Sequence, residues 1–180
     1  GSFFLSFLPM TPVQILLNNS LYDLSQITIP TDQVDRESLL KPKHWDINFI
    51  NKYMLFFGPI SSIFDFVTFF VLLYVFKFDA PRFQAGWFLE SLLTQTLVIF
   101  AIRTAKFPFI RSAPSKMLVL SASLVIVAAF LIVTSPFGVT LGFGKLPSVW
   151  YITLAFIIVT YMILVDTMKT FFIKRFKVWN

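Results

Sequence analysis

Four stretches of this chain are too long and too uniformly apolar to fold against water. Asn51–Phe76, Trp87–Ile102, Met117–Val133 and Ser148–Val165 lack the polar stripe of a surface helix, so lipid is their natural solvent. With roughly 16 to 26 residues each, at about 1.5 Å of rise per residue, they cross or nearly cross a ~30 Å hydrocarbon core. Composition agrees: 57% of the 180 residues are hydrophobic and only 13% are charged, about half the charged share of a soluble domain. The absence of Cys excludes disulfides, thiolate metal sites and cysteine nucleophiles. A net charge of +6 does not point to nucleic acid here, because basic loops set the orientation of a membrane protein.

A fifth apolar stretch, Phe3–Ile29, is broken by Pro9 and Pro12. Each proline removes a backbone donor and clashes with the preceding turn, so the stretch cannot be one helix. The pattern predicts a tight turn at Pro9–Pro12, with Phe3–Phe7 ending one helix and a new span over residues 12–29. Pro12 then sits in the first turn, where proline is tolerated. The expected fold is all-α: a polytopic membrane protein of five transmembrane helices plus the end of a preceding one. Its spans are residues 12–29, 51–76, 87–102, 117–133 and 148–165, with cytoplasmic loops at 30–50 and 103–116. The chain opens Gly1-Ser2 without an initiator Met, which suggests a cloning scar or an internal cleavage point.

Orientation follows from the basic residues. Twelve of the 15 Lys and Arg fall in Thr28–Lys52, Arg103–Lys116 and the segment from Lys169 onward; the other three are Lys77, Arg82 and Lys145. That bias predicts a cytoplasmic C-terminus and puts the Pro9–Pro12 turn outside. Trp45, Trp87, Trp150, Trp179 and Tyr151 lie near span ends, where an interfacial aromatic belt is expected.

No segment offers catalytic or cofactor-binding residues. Gly142-Phe143-Gly144-Lys145 lacks the spacing and the following Ser or Thr of a phosphate loop, and reads as an extracytoplasmic loop. His44, the only His, makes no metal site alone.

Polar groups at membrane depth are costly and each needs a reason. The densest set is on the first full span: Gln14, Asn18, Asn19, Tyr22, Asp23 and Gln26. The last five fall within about 140° of helical arc, and Asn19 and Asp23 are one turn apart. An amide oxygen and a carboxylate at that spacing can converge on one hard cation such as Mg²⁺ or Ca²⁺. The competing reading is a polar face packed against neighbouring helices. Asp65 reads as a proton or ion relay, as a polar latch to a neighbouring helix, or as a protonated carboxyl bonded to a carbonyl, Ser61 or Ser62. Glu90 reads as an interfacial acid near the outer end of its helix, or one that attracts ions leaving the membrane. Asp166 and Lys169 read as a rim ion pair.

Pro12-x-Gln14-x-Leu16-x-x-Asn19-x-x-x-Asp23 resembles the sixth transmembrane helix of the P-type cation ATPases. Phe56-Phe57-Gly58-Pro59-Ile60-Ser61-Ser62-Ile63-Phe64-Asp65, Gly86-Trp87-Phe88, Gln95-Thr96-Leu97 and Ile102-Arg103-Thr104 are similar to the seventh and eighth helices of bacterial magnesium-transporting members. The resemblance covers essentially the whole chain, from the end of the fifth helix to the tenth. It implies that Asn19 and Asp23 are ion ligands; Asn18 and Tyr22 are candidate ligands from their place on the same polar face. It also implies that Mg²⁺ is the transported ion and that ATP acts only through domains outside this chain. Calcium pumps have an acidic ligand where this chain has Gln95; a neutral residue suits Mg²⁺, which keeps some of its waters. Gln95 is then a weak ligand or an interhelical hydrogen-bonding group. The loop Pro30–Lys43 would lie beneath a phosphorylation domain.

The expected setting is the inner membrane of a bacterium. The partners are the lipid bilayer and the N-terminal part of the same ATPase; a homodimer is compatible with the sequence and nucleic acid is not expected. Two other readings are an independent secondary transporter or channel using Asp23 and Asp65, and a non-transporting membrane scaffold.

Overall fold

A computed structural model describes residues 5–32, 47–104 and 113–176. Its regular elements are all helical: α1 Pro12–Gln26, a 3-10 turn Ile29–Thr31, α2 Ile47–Phe70, α3 Ala80–Ile102, α4 Lys116–Thr134, α5 Pro136–Thr140 and α6 Ser148–Phe176. Among the described residues, four helical stretches are long and apolar enough to cross a membrane, Phe57–Val75, Ala80–Ile102, Lys116–Thr134 and Ser148–Ile173; α1, in the expected span 12–29, is not one of them. Trp45, Trp179, His44 and the charges from Asp35 to Lys43 lie outside the described residues, as do Phe3 and Phe4; Leu5–Thr11 is non-helical.

Local chemistry sets the helix starts. Thr11 caps α1 in a reciprocal box: its hydroxyl accepts from the Gln14 N–H, and the Gln14 side chain accepts from the Thr11 N–H at 2.9 Å. Asp79 takes the N-cap position of α3, with Pro81 in the first turn. Ser115 caps α4 by accepting from the Leu118 N–H at 3.1 Å. The end of α2 widens into a π turn, Val71–Val75, where the Phe76 N–H donates to Val71 at 3.0 Å. Lys77 then adopts φ 53°, and the Phe78 N–H returns to the Leu72 carbonyl at 3.0 Å, as in a helix-terminating αL cap.

α3 is the axis of the bundle, packed against α1, α2, α4 and α6. Phe83, Ala85, Phe88, Leu89 and Leu92 on it are all fully buried. The outer helices bury one stripe only. On α4, Leu118, Ala122, Val125, Ala129 and Val133 face inward while Leu120, Leu124, Val127 and Leu131 are exposed. Both faces are equally apolar, so close packing and not polarity selects the inner one.

Trp150 is fully buried with its ring edge-on to Phe76 and Phe78 at 5.5 and 6.1 Å. That corrects its expected place in an interfacial belt: at this end of the bundle the indole is core. Gly86 makes room for it. A methyl group on Gly86 would stand 2.7 Å from Leu72 and 3.2 Å from the Trp150 ring, so three helices approach there only because the residue is Gly.

The two ends of the bundle are tied differently. At one end the Gln14 side chain donates to Gln84 at 3.3 Å and to the Leu141 carbonyl at 3.0 Å, and Gln84 donates to the Leu8 carbonyl at 2.9 Å. At the other end Thr28 and Ser121 bond at 2.6 Å. There Asp32 also pairs with Arg103 and accepts from the Ser115 N–H at 2.7 Å. α1 has 15 residues, about 22 Å of helix and less than a ~30 Å core. The turn that follows carries the chain on to this second end.

Candidate functional site

α1 presents two polar faces, and the sequence arc that grouped them is divided by the packing. Gln14, Asn18, Leu21 and Ser25 are buried against the bundle. Asn19 and Asp23 are exposed, together with Leu16 and Ser20. Asp23 lies eleven positions into the helix, about 16 Å along its axis, and its side chain is on an uncovered face. The Ser20 hydroxyl between them is turned back to the Leu16 carbonyl at 2.8 Å, which leaves the Asn19 and Asp23 side chains as the candidate oxygen donors of that face.

Asn18 belongs to the seam between α1 and α3. Its amide donates to Ser91 at 3.4 Å and makes a long contact of 3.9 Å to the sulfur of Met10. The side-chain oxygen is buried without a hydrogen-bond partner. The Gln95 amide donates to the same Ser91 hydroxyl at 2.9 Å. Asn18 and Gln95 are therefore brought together through Ser91, on the side of α1 away from Asp23. Tyr22 is half-buried between these faces, packed near Ile99 and Leu118.

Among the described residues, no three His, Cys, Asp or Glu converge. Mg²⁺ needs near-octahedral oxygen coordination, so Asn19 and Asp23 can supply only part of a ligand set.

Other acids depart from their expected places. Glu90 is not interfacial. It lies ten positions into α3 with no exposed surface, and neither carboxyl oxygen has a hydrogen-bond partner. Placing the start of that helix at Trp87 put Glu90 near its end; the Asp79-Ala80-Pro81 start signal puts it at mid-span. Asp65 is half-buried, and Ser61 bonds the Tyr161 hydroxyl at 3.2 Å. Asp166 and Lys169 do pair, at 2.6 Å, but they are buried and not on a rim. The Lys169 ammonium also donates to the Ala101 carbonyl at 3.0 Å, one of the carbonyls left open at the end of α3.

Residues 7–171 match the family described as cation transporting ATPase, C-terminus. The chain is 41% identical to "Magnesium-transporting ATPase, P-type 1" of Salmonella typhimurium strain LT2, over 99% of its own length and 20% of the relative. It is likewise 41% identical to the protein of that name in Escherichia coli K12, over 98% of this chain and 20% of the relative. The chain thus spans about a fifth of the length of these relatives. With a family match over nearly all its residues and an all-helical apolar bundle, this chain belongs to the carboxyl-terminal membrane region of the cation-transporting ATPases.

Proposed function

We propose that this chain forms the carboxyl-terminal transmembrane helices of an ATP-driven Mg²⁺ transporter, with Asn19 and Asp23 among the ligands of the transported ion. The carrying observation is the asymmetry of α1: its back is sealed against α3 and α4, while Asn19 and Asp23 face outward, in a bundle whose longer helices are apolar enough to cross a membrane. A carboxylate and an amide facing hydrocarbon are expensive. In the assembled pump, the face that carries them is covered by the remaining membrane helices of the same protein, which complete the coordination sphere. The phosphorylation and nucleotide-binding machinery resides outside this chain, which holds ions without hydrolysing ATP itself.

Asn18, Tyr22 and Gln95 act one layer behind the ion. Asn18 and Gln95 fix Ser91 and the α1–α3 seam, and the unpartnered Asn18 oxygen offers one further ligand should α1 rotate or unwind. The setting is the inner membrane of a bacterium, with the Asp32–Arg103 end of the bundle and the C-terminus in the cytoplasm. Growth at low Mg²⁺ tests the ligands, using a strain deprived of its own Mg²⁺ uptake systems and supplied with the full-length pump. Asn19→Ala and Asp23→Asn pumps should reach the membrane but fail to support growth. Growth equal to that of the unaltered pump would overturn the ligand assignment.

A further inference from the structure

Glu90, Asp65, Thr68 and Tyr161 form a polar cluster that the ion-ligand face does not use. Each lies near the midpoint of its span: Glu90 in Ala80–Ile102, Asp65 and Thr68 in Phe57–Val75, Tyr161 in Ser148–Ile173. Asp65 and Thr68 are three residues apart and share a face of α2. Thr68 and Asp65 are polar neighbours of Glu90, and Tyr161 stands close enough to both carboxyls to interact with them. Glu90 and Thr68 have no exposed surface. Both Glu90 carboxyl oxygens and the Thr68 hydroxyl are without a closed hydrogen bond.

A carboxylate in the middle of a membrane with no closed hydrogen bond on either oxygen is among the most costly groups a protein can hold. Some cation has to stand where the donors are missing. Among the described residues no Lys or Arg does so: on α3, Arg82 is eight positions before Glu90 and Arg103, at the C-cap, thirteen after it, on α6 Lys169 is eight positions beyond Tyr161, and α4 brings only Lys116, at its own start. A metal ion is poorly served, since two carboxyls and a hydroxyl fall short of an octahedral shell and no acidic trio converges among the described residues.

We propose that Glu90 with Asp65 and Thr68 is a second intramembrane site, separate from Asn19 and Asp23, and that its ligand is a proton. The proton, taken from water, forms an O–H bond on one Glu90 oxygen. That O–H donates to Asp65, and the Thr68 hydroxyl donates to the other Glu90 oxygen, so the unpartnered atoms are paired without a metal. The facing titratable groups are Asp65 on α2, Tyr161 on α6 and, beyond Tyr161, Tyr22 on α1. Because Glu90 stands on α3 and its acceptors on α2, sliding one helix past the other changes what the proton is bonded to.

Infrared spectroscopy of the full-length pump in lipid nanodiscs, in H₂O and D₂O at neutral pH, reads the proton directly. The expected spectrum has a carbonyl band of a protonated carboxylic acid that is lost in Glu90→Gln, an isosteric neutral replacement, and kept in Asp23→Asn. Should Glu90→Gln not fold, Asp65→Asn and Thr68→Val should displace the same band by altering its hydrogen bonds. A spectrum unchanged by all these substitutions overturns the proposal. A band that appears only after Mg²⁺ is chelated also overturns it, by showing a metal ion in place of the proton. Since Asp23→Asn leaves the band intact, failure here is distinct from failure of the Asn19–Asp23 assignment.

Discussion

Asp32 and Arg103 form a buried ion pair where the end of α1, the end of α3 and the start of α4 meet. Their side chains are only 12% and 8% exposed, and the second Asp32 oxygen takes the Ser115 N–H at 2.7 Å. One carboxylate thus fastens the first helix to the two that pack beside it. Removing a partner from a buried pair leaves an uncompensated charge and typically costs about 3–5 kcal/mol. Asp32→Ala should therefore lower the thermal midpoint of the purified protein, with a loss of that order in unfolding free energy. A change within about 0.5 kcal/mol, as for an exposed pair, would show that the site is open to water.

Lys169 and Asp166 allow a sharper version of the same test. Lys169→Met alone strands Asp166 and uncaps the Ala101 carbonyl, and should destabilise by about 3 kcal/mol or more. Lys169→Met combined with Asp166→Leu removes both charges and should recover most of that loss. A double-mutant cycle on thermal unfolding in detergent measures the coupling, and strictly additive losses would contradict the buried pair.

Gly86 lies where α2, α3 and α6 come together. A methyl at that position meets Leu72 at 2.7 Å and Trp150 at 3.2 Å. The helix propensity gained by Gly→Ala, up to about 1 kcal/mol, is outweighed by overpacking of about 1–3 kcal/mol. Gly86→Ala should be mildly destabilising and Gly86→Val severely so, read as loss of folded protein in size-exclusion chromatography. A stabilised Gly86→Val would show that the helices are free to separate.

Gln14 should prove structural despite its place beside the ion face. It caps its own helix and bridges to Gln84 and the Leu141 carbonyl. Gln14→Leu leaves those partners unsatisfied, at about 1–3 kcal/mol for each buried group stranded. In the full-length pump it should reduce stability while leaving apparent Mg²⁺ affinity unchanged. A selective loss of Mg²⁺ affinity at unchanged stability would make Gln14 part of the ion site.

The membrane-spanning character of the fold was legible because burial in lipid demands long apolar runs and permits nothing else helical. Which polar group faces which neighbour was not legible. On α1 an arc of about 140° contains Asn18 and Asn19 alike, and only the position of α3 decides that Ser91 receives Asn18 while Asn19 stays outside. Glu90 was misplaced for a local reason. Lys77 and Asp79 just before α3, with Arg82 and Gln84 in its first turns, dilute the hydropathy there, hiding a helix start that Asp79 and Pro81 mark by backbone chemistry. Trp150 was read from its distance to a span end, a criterion blind to Phe76 and Phe78 closing over it.

Equilibrium Mg²⁺ titration of ATPase activity in the purified full-length pump, comparing Asp23→Asn, Asn19→Ala and Asn18→Ala, bears most directly on the ion-ligand face. Asp23→Asn and Asn19→Ala should each weaken apparent Mg²⁺ affinity by about tenfold or more, or about 1.4 kcal/mol, without disturbing the packing of this bundle, within which both side chains are exposed. Asn18→Ala, which breaks the bond to Ser91, should lose stability with a smaller change in affinity. Unaltered Mg²⁺ dependence in both Asp23→Asn and Asn19→Ala would contradict the assignment of that face to the transported ion.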